Sequence, residues 1–330
     1  MNELISIVVP MYFEEEVAEE CYKRLTHVMT TNKFNYELVF VNDGSTDRTL
    51  DILVELASKD ENVKVINFSR NFGHQNAVTA GIDFAKGDAI VIIDADLQDP
   101  PELIPDLVAK WREGFDVVYA KRKKRKGETW FKLLTAKWFY KFLNYMSDIE
   151  IPKDTGDFRL IDRKVAAVFR KMTERNRFIR GMISWIGFKQ TYIEYERDER
   201  FAGETKYPLK KMLKFASDGI IAFSTKPLRI VTWIGFYSVV LSFLVLLYSL
   251  VVKLFDLGDV QAGWTSIMVA ITFFGGVQLL GLGIVGQYIA RIYDESKNRP
   301  VYIVKDVYNV ENDIKIESEP KVEQSTHHDR

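Results

Sequence analysis

Ala89-Ile90-Val91-Ile92-Ile93-Asp94-Ala95-Asp96-Leu97-Gln98-Asp99-Pro100-Pro101 is the stretch on which the fold turns. Five apolar residues followed by a carboxylate-rich loop, stopped by two prolines, have the length of a buried strand and its exit. Two aspartates at i and i+2 just past the strand set like charges close together at its open end, where they repel unless a cation sits with them. Oxygen ligands of this kind suit magnesium or manganese, which keep waters and bridge to substrate phosphates. On these two residues alone, a solvated acidic turn is the alternative.

Outward from this stretch one pattern repeats. Apolar runs at 4–9, 37–41, 63–68, 89–93 and 116–120 predict strands, and amphipathic stretches at 15–30, 46–58, 74–85 and 101–113 predict the helices between them. Continuous Val, Ile and Leu runs separated by helices belong to a parallel sheet covered on both faces, an α/β class. Ser45 is placed to cap the second helix, and Gly87 and Gly114 stand where C′ glycines end helices. Parallel α/β sheets bind ligands beyond the carboxyl ends of their strands. Pro10-Met11-Tyr12-Phe13-Glu14 follows the first strand, Asn42-Asp43-Gly44-Ser45 the second, Ser69-Arg70-Asn71-Phe72-Gly73 the third and Asp94 to Asp99 the fourth. Four polar loops therefore meet on one rim, which suits a nucleotide-sized ligand. A Gly-Lys-Ser or Gly-Lys-Thr phosphate loop is absent, and no Gly-x-Gly-x-x-Gly follows a predicted strand. This argues against a P-loop nucleotidase and a dinucleotide-dependent oxidoreductase.

The 330 residues are 47% apolar and 28% charged, enough to bury a core. Forty-five Lys and Arg nearly balance 46 Asp and Glu, for a formal charge of −1, which argues against nucleic acid as a partner. The single cysteine, Cys21, excludes an internal disulfide and a zinc site of several thiolates, and reads as a buried thiol. The first ten residues lack a basic region and end their short apolar run at Pro10, so they read as a strand and not as a signal peptide. Two later stretches, 230–252 and 265–290, carry no charge. At ~1.5 Å per residue each reaches roughly 35 Å, long enough to cross the hydrocarbon with some tilt. A pair of buried core helices is the alternative.

Lys206, Lys210, Lys211, Lys214, Lys226 and Arg229 precede the first span, and Arg291, Lys297 and Arg299 follow the second, whereas the connection holds only Lys253 beside Asp256 and Asp259. The positive-inside rule then puts both termini in the cytoplasm. Gly275, Gly276, Gly281, Gly283 and Gly286, with Gln278 and Gln287, suit close helix approach in a homo-oligomer or around a lipid. The basic run Lys121-Arg122-Lys123-Lys124-Arg125-Lys126 leads into Trp130, Leu133, Leu134, Trp138, Phe142 and Tyr145. With two spans nearby, this reads as an interfacial helix at about 128–146 on an anionic leaflet. A second such helix is expected at about 206–225, and 311–330 reads as a mobile polar tail.

Ile7-Val8-Val9-Pro10-Met11-Tyr12, Val41-Asn42-Asp43-Gly44-Ser45-Thr46-Asp47 and Asp94-Ala95-Asp96-Leu97-Gln98-Asp99-Pro100-Pro101 together resemble the signatures of the inverting, family-two GT-A glycosyltransferases. The subgroup is similar to the polyprenyl-phosphate glycosyltransferases, related to dolichyl-phosphate mannose synthase and the bactoprenol glucosyltransferases. Ser69-Arg70-Asn71-Phe72-Gly73-His74-Gln75, Thr155-Gly156-Asp157-Phe158-Arg159-Leu160 and Arg200-Phe201-Ala202-Gly203-Glu204-Thr205-Lys206-Tyr207 extend the match. The family often has Ser where Thr205 stands, so the hydroxyl is kept. The resemblance implies a GT-A, Rossmann-like, mostly parallel sheet with helices on both faces, followed by interfacial helices and two transmembrane helices. It implies a cytoplasmic catalytic domain over 1–229, a hairpin over 230–290 and a cytoplasmic segment over 291–330.

Roles follow from the same resemblance. Pro10, Tyr12, Glu14 and Asp43 would hold the base and ribose of a nucleotide-sugar, with Ser69, Arg70 and Gln75 beside them. Asp94 would lie against ribose and diphosphate, and Asp96, with Asp94, would ligate Mg2+ or Mn2+, which neutralises the leaving diphosphate. Gln98 would face the donor sugar and the acceptor. Asp157 is the candidate base; a phosphate monoester is largely a dianion at neutral pH, so Asp157 positioning the acceptor, or Arg159, is the equal alternative. Arg122, Arg159, Arg200 and Lys206 would meet substrate phosphates. The implied reaction moves glucose or N-acetylglucosamine, from a donor favoured to be UDP-linked, to undecaprenyl or another polyprenyl phosphate at the cytoplasmic leaflet. The rivals are an anchored enzyme acting on a protein or growing glycan and a non-catalytic partner of a glycolipid flippase, though two spans are few for a translocation path.

Overall fold

A computed structural model describes residues 3–123, 155–196, 224–255 and 263–310. Among the described residues, seven strands and six α-helices come before the apolar hairpin: β1 (Leu4–Met11), α1 (Ala18–Thr31), β2 (Asn35–Asn42), α2 (Thr49–Lys59), β3 (Val63–Phe68), α3 (His74–Phe84), β4 (Ala89–Ile92), α4 (Ile104–Arg112), β5 (Val117–Arg122), β6 (Thr155–Asp162), α5 (Arg163–Arg170), α6 (Ile179–Ile186) and β7 (Gln190–Tyr195). The apolar hairpin α7 (Lys226–Leu254) and α8 (Trp264–Ser296) follows, and then β8 (Val304–Tyr308). The strands form one sheet in the order β7-β5-β6-β4-β1-β2-β3-β8. β1 to β4 are mutually parallel, while β6 runs against both β4 and β5, and β8 against β3. The sheet is thus mixed but mostly parallel, the expected class.

Both faces are buried, and this explains the uninterrupted apolar strands. Ile7, Val9, Leu38, Phe40, Val65 and Val91 pack under α1, α2 and α4, whereas Val8, Val39, Val41, Ile66, Ile90 and Ile92 pack under α3, α5 and α6. Cys21 sits in the first of these layers, fully buried, and burial pushes its thiol up to about 12, so it is an inert core residue.

Two local expectations are corrected. Ser45 does not cap α2: its Oγ accepts Phe13 N at 3.1 Å, and the helix start is held by Asp47 accepting Thr49 N at 3.1 Å and Glu15 accepting Arg48 N at 3.0 Å. Gly114 does follow α4 with φ +92°, but Gly87 ends no helix. Its N–H donates to Ser6 Oγ at 2.8 Å, and a Cβ there would come within 2.6 Å of that oxygen.

α7 and α8 are long and apolar enough to cross a membrane, and their apolar side chains (Trp233, Phe236, Leu241, Phe273, Leu280) face outward. The Tyr288 hydroxyl donates to Ser224 O at 2.6 Å, tying the end of α8 to the start of α7. β8 is the structural consequence that the sequence did not announce. After the hairpin the chain returns to the sheet it left and covers the edge of β3. The expected interfacial helices, the 311–330 tail, and Arg200 and Lys206 lie outside the described residues, apart from Ser224 and Thr225 at the end of the second helix.

Candidate active site

The four loops beyond β1 to β4 do meet on one rim; hydrogen bonds join the first three, and an imidazole–carboxylate charge contact reaches the fourth. Phe13 N donates to Ser45 Oγ, joining the first loop to the second. Asp43 accepts Phe72 N at 2.6 Å and Gly73 N at 2.9 Å, joining the second to the third. His74, the first residue of α3, reaches Asp94 in the fourth, with Nε2 3.7 Å from Oδ1. Gly44 is required where the second and third loops cross. Its φ is +68°, and a Cβ would press on the Arg70 carbonyl carbon and lie 2.6 Å from Asn71 N. Phe13 and Leu97, at φ 56° and 55°, are left-handed in the first and fourth loops. Each costs about 1 kcal/mol or more, and such backbone strain concentrates where a loop is held for function.

Asp157, on β6, is the centre of the charge cluster. His74 Nε2 lies 3.0 Å from its Oδ2, Arg180 Nε donates to its Oδ1 at 2.8 Å, and Arg159 Nη2 stands 3.5 Å from the same oxygen. Burial disfavours the carboxylate, yet these cations outweigh it and hold Asp157 well below the usual carboxylate range. Asp94 is pushed the other way, up to about 6, by burial and by the charges of Asp157, Asp99 and Asp96, against the pull of His74. For His74, burial works against the cation, but the Asp157 hydrogen bond and the two carboxylate charges lift the imidazole to about 9.

A group whose folded pKa stands above its unfolded value adds stability that is complete below about 6.5 and fades as pH rises through about 9. In EDTA, the thermal midpoint of the wild type is therefore expected to fall between pH 6.5 and 9.5. His74→Gln should flatten that fall; an equal fall in the variant would contradict the pairing.

Among the described residues, one ligand atom each from His74, Asp94 and Asp157 converge within 4.8 Å of one another. Asp94 is thus in the cluster from which a divalent ion would be held. Asp96 is half-buried on the same loop, its Oδ1 accepting Gln98 N at 3.2 Å in a turn around Leu97. The donor chemistry fits a hard or borderline ion: crowded carboxylate oxygens, one of them with a raised pKa, and an imidazole that can join only after giving up its proton.

The remaining predicted residues are distributed as follows. Tyr12 is 45% exposed at the rim, its ring 4.4 Å from that of Phe13; Pro10 is buried within β1, and Glu14 N donates to Thr49 Oγ1 at 3.0 Å. Ser69 and Arg70 are exposed, Arg70 4.0 Å over the Phe72 ring. Gln75 Oε1 accepts Ile179 N at 2.9 Å, docking α6 on α3. Arg159 is fully buried, donates to Gly156 O at 2.9 Å and Asp157 O at 3.2 Å, and lies 5.2 Å from the Tyr119 ring centroid. Arg122 Nη2 stands 3.3 Å from the buried Asp99 carboxylate, and Arg122 Nε donates to the Tyr195 hydroxyl at 3.1 Å. Tyr195 itself donates to Asp99.

His74, Arg180, Asp99 and Tyr195 carry parts that the sequence did not assign. His74 and Asp99 stood inside quoted motifs, the only signal that existed for either. Arg180 and Tyr195 had none, since only the folded chain, through α6 and β7, brings them to Asp157 and Asp99.

Residues 6–169 match the family described as Glycosyl transferase family 2. A Bacillus subtilis protein described as the uncharacterized glycosyltransferase YkcC is 57% identical over 307 residues, covering 93% of this chain and 95% of that protein. The bactoprenol glucosyl transferase of Shigella phage SfV is 44% identical over 301 residues, covering 91% of this chain and 98% of its own. Among solved structures, mannosyl-3-phosphoglycerate synthase from Rubrobacter xylanophilus is similar with a TM-score of 0.46 and 16% identity, over 67% of this chain and 73% of that one. Identities of 57% and 44% over more than nine-tenths of the chain necessarily run through the hairpin as well as the sheet. With the charged rim of a mostly parallel α/β sheet, they make this chain a glycosyltransferase, a GT-A-like member of glycosyl transferase family 2.

Proposed function

We propose that the enzyme transfers one sugar, glucose or N-acetylglucosamine, from a UDP-linked donor to a polyprenyl phosphate, inverting the anomeric carbon. One observation carries the acceptor: a relative named bactoprenol glucosyl transferase is 44% identical over 91% of this chain. The catalytic domain, residues 1–229, works at the cytoplasmic leaflet, residues 230–290 cross the bilayer as a hairpin, and 291–330 return to the cytoplasm. Two features support this arrangement. The basic residues flank the hairpin and leave its turn nearly bare. β8, after the second helix, pairs with β3, before the first, so both ends of the hairpin belong on the side of the sheet. Open space beyond Gly275, Gly276, Gly283 and Gly286 of α8 leaves room for a second copy, in keeping with a homo-oligomer.

In this reading Tyr12 and the loop around Asp43 receive the base and ribose, with Pro10, Glu14, Ser69, Arg70 and Gln75 shaping that wall. Asp43, already accepting two backbone N–H groups, keeps its remaining lone pairs for a ribose hydroxyl. Asp96 and Asp94 hold Mg2+ or Mn2+, which when bound supplies Lewis-acid neutralisation of the departing diphosphate. Gln98 faces the transferred sugar. Asp157 orients the acceptor side and takes up no proton, because a carboxyl held well below its usual range is a weak base and a phosphate dianion brings its own nucleophilic oxygen. Arg122, Arg159, Arg200 and Lys206 bias the acceptor side toward anions, Arg159 from beside Asp157 on the same strand. Confinement of the acceptor headgroup to the bilayer surface raises its effective concentration at a site anchored there.

Labelled UDP-glucose or UDP-N-acetylglucosamine supplied to membranes containing the enzyme, polyprenyl phosphate and Mn2+ should pass label into organic solvent, and EDTA should stop it. Label that stays with protein or water-soluble glycan would favour the anchored enzyme of other acceptors.

A further inference from the structure

The strand that closes the sheet after the hairpin reaches into the donor side of the site. Met11, Asn42, Asn67 and Asp306 share one register row across β1, β2, β3 and β8, at the carboxyl edge of the parallel strands. Their side chains make a directed chain. Asn67 Nδ2 donates to Asp306 Oδ2 at 2.9 Å, Asn42 Nδ2 donates to Asn67 Oδ1 at 2.9 Å, and Ser45 N donates to Asn42 Oδ1 at 3.4 Å. Ser45 Oγ then accepts the N–H of Phe13, the left-handed residue beside Tyr12.

A carboxylate only accepts, so Asp306 fixes the direction of the whole series. Asn67 must turn its NH2 to Asp306 and its oxygen to Asn42, and Asn42 must then offer its oxygen to Ser45. Both amides are buried, Asn42 completely, where an unmatched polar group is costly and a satisfied chain holds one geometry. Nothing in the packing of the sheet calls for two buried amides at this edge, where the neighbouring positions Val41, Ile66 and Phe68 are apolar. What the row does reach is the loop after β1. Phe13 is held there against its backbone preference by the Ser45 bond, and Glu14 by Thr49. Tyr302 makes a parallel attachment of the same segment, stacking on Phe68 at 5.2 Å with its hydroxyl donating to Asp83 at 2.8 Å.

We propose that Asp306 is a positioning residue for the nucleotide: from the strand beyond the hairpin, through Asn67, Asn42 and Ser45, it sets the loop that carries Tyr12 and Phe13. This rests on the reading of that loop as the nucleotide wall. The full-length protein in detergent, with Mn2+, is titrated calorimetrically with UDP and, in parallel, with GDP. Asp306→Ala is expected to weaken nucleotide binding roughly tenfold, the scale of one lost charge-assisted hydrogen bond, and to raise the donor KM with kcat little changed. Asp306→Asn, which keeps an acceptor oxygen, should recover most of the affinity. Val307→Ala, next along the same strand but outside the row, controls for loosening of β8 and should leave binding at the wild-type level. Wild-type affinity in Asp306→Ala, or an equal loss in Val307→Ala, overturns the inference and leaves the nucleotide reading intact. A wild type that binds neither nucleotide overturns both.

Discussion

Asp96→Asn is expected to leave the protein folded and to lower turnover by at least about a thousandfold. The amide is isosteric with the carboxylate and its oxygen can still accept Gln98 N, now at 3.2 Å, so the turn that holds Leu97 at φ 55° survives. Alanine would remove that acceptor, which makes Asn the cleaner variant. Asp96 is one of the negative charges that push the Asp94 carboxyl up, so its loss eases that carboxyl and the fold should survive. In the proposed function the same charge would hold the divalent ion at the diphosphate. Metal stabilisation of a leaving group is worth several kcal/mol, and about 4 kcal/mol is a thousandfold. Turnover at saturating donor, lipid and Mn2+, read beside a circular-dichroism melt, decides it. A folded variant keeping a tenth of wild-type turnover would remove Asp96 from the metal.

Cutting the chain after residue 223 should do more than remove the apolar hairpin. It takes away β8, the Tyr302 stack on Phe68, and the Asn309 amide, which donates to Ala57 O at 2.6 Å and Val63 O at 3.0 Å. The edge of β3 is then open to other chains. A strand's ladder bonds and a buried aromatic pair together contribute on the order of 5 kcal/mol, a large share of the roughly 5–15 kcal/mol that holds a domain. The truncated protein is expected to aggregate or to melt far below the full chain. Replacing 226–296 with a flexible Gly-Ser linker, while keeping 297–310, should give a soluble protein that binds nucleotide but transfers sugar poorly to polyprenyl phosphate in vesicles. A truncated form as stable as the linker form would show that β8 is dispensable; undiminished transfer by the linker form would show that the hairpin is.

These two experiments separate what the sequence made plain from what it hid. The strand–helix alternation from β1 to β5 was legible because strands buried on both faces read as unbroken apolar runs, and Asp94 and Asp96 stood out at the end of one of them. β6 was not legible. Thr155–Asp162 carries Asp157 and Arg159, and a buried guanidinium breaks the apolar run that marks a strand. β7 is an edge strand with polar and apolar residues mixed, and β8 has only five residues, two of them charged. His74 was hidden differently: one imidazole at a helix start has no meaning until the fold sets it 3.0 Å from Asp157. Ser45 looked like a helix cap because its position fits one, but Asp47 and Glu15 hold that helix start and free the hydroxyl for Phe13.

The proposed transfer of a single sugar to a lipid phosphate depends on the cluster around Asp94, Asp96 and Asp157. Its most direct test gives the purified enzyme in lipid nanodiscs undecaprenyl phosphate, Mn2+ and a panel of nucleotide-sugars, and weighs the lipid by mass spectrometry. One donor should add one hexose or N-acetylhexosamine mass to undecaprenyl phosphate and release its nucleoside diphosphate in equal amount. Donor that stays intact with every sugar offered, or that is consumed while the lipid keeps its mass, would contradict it.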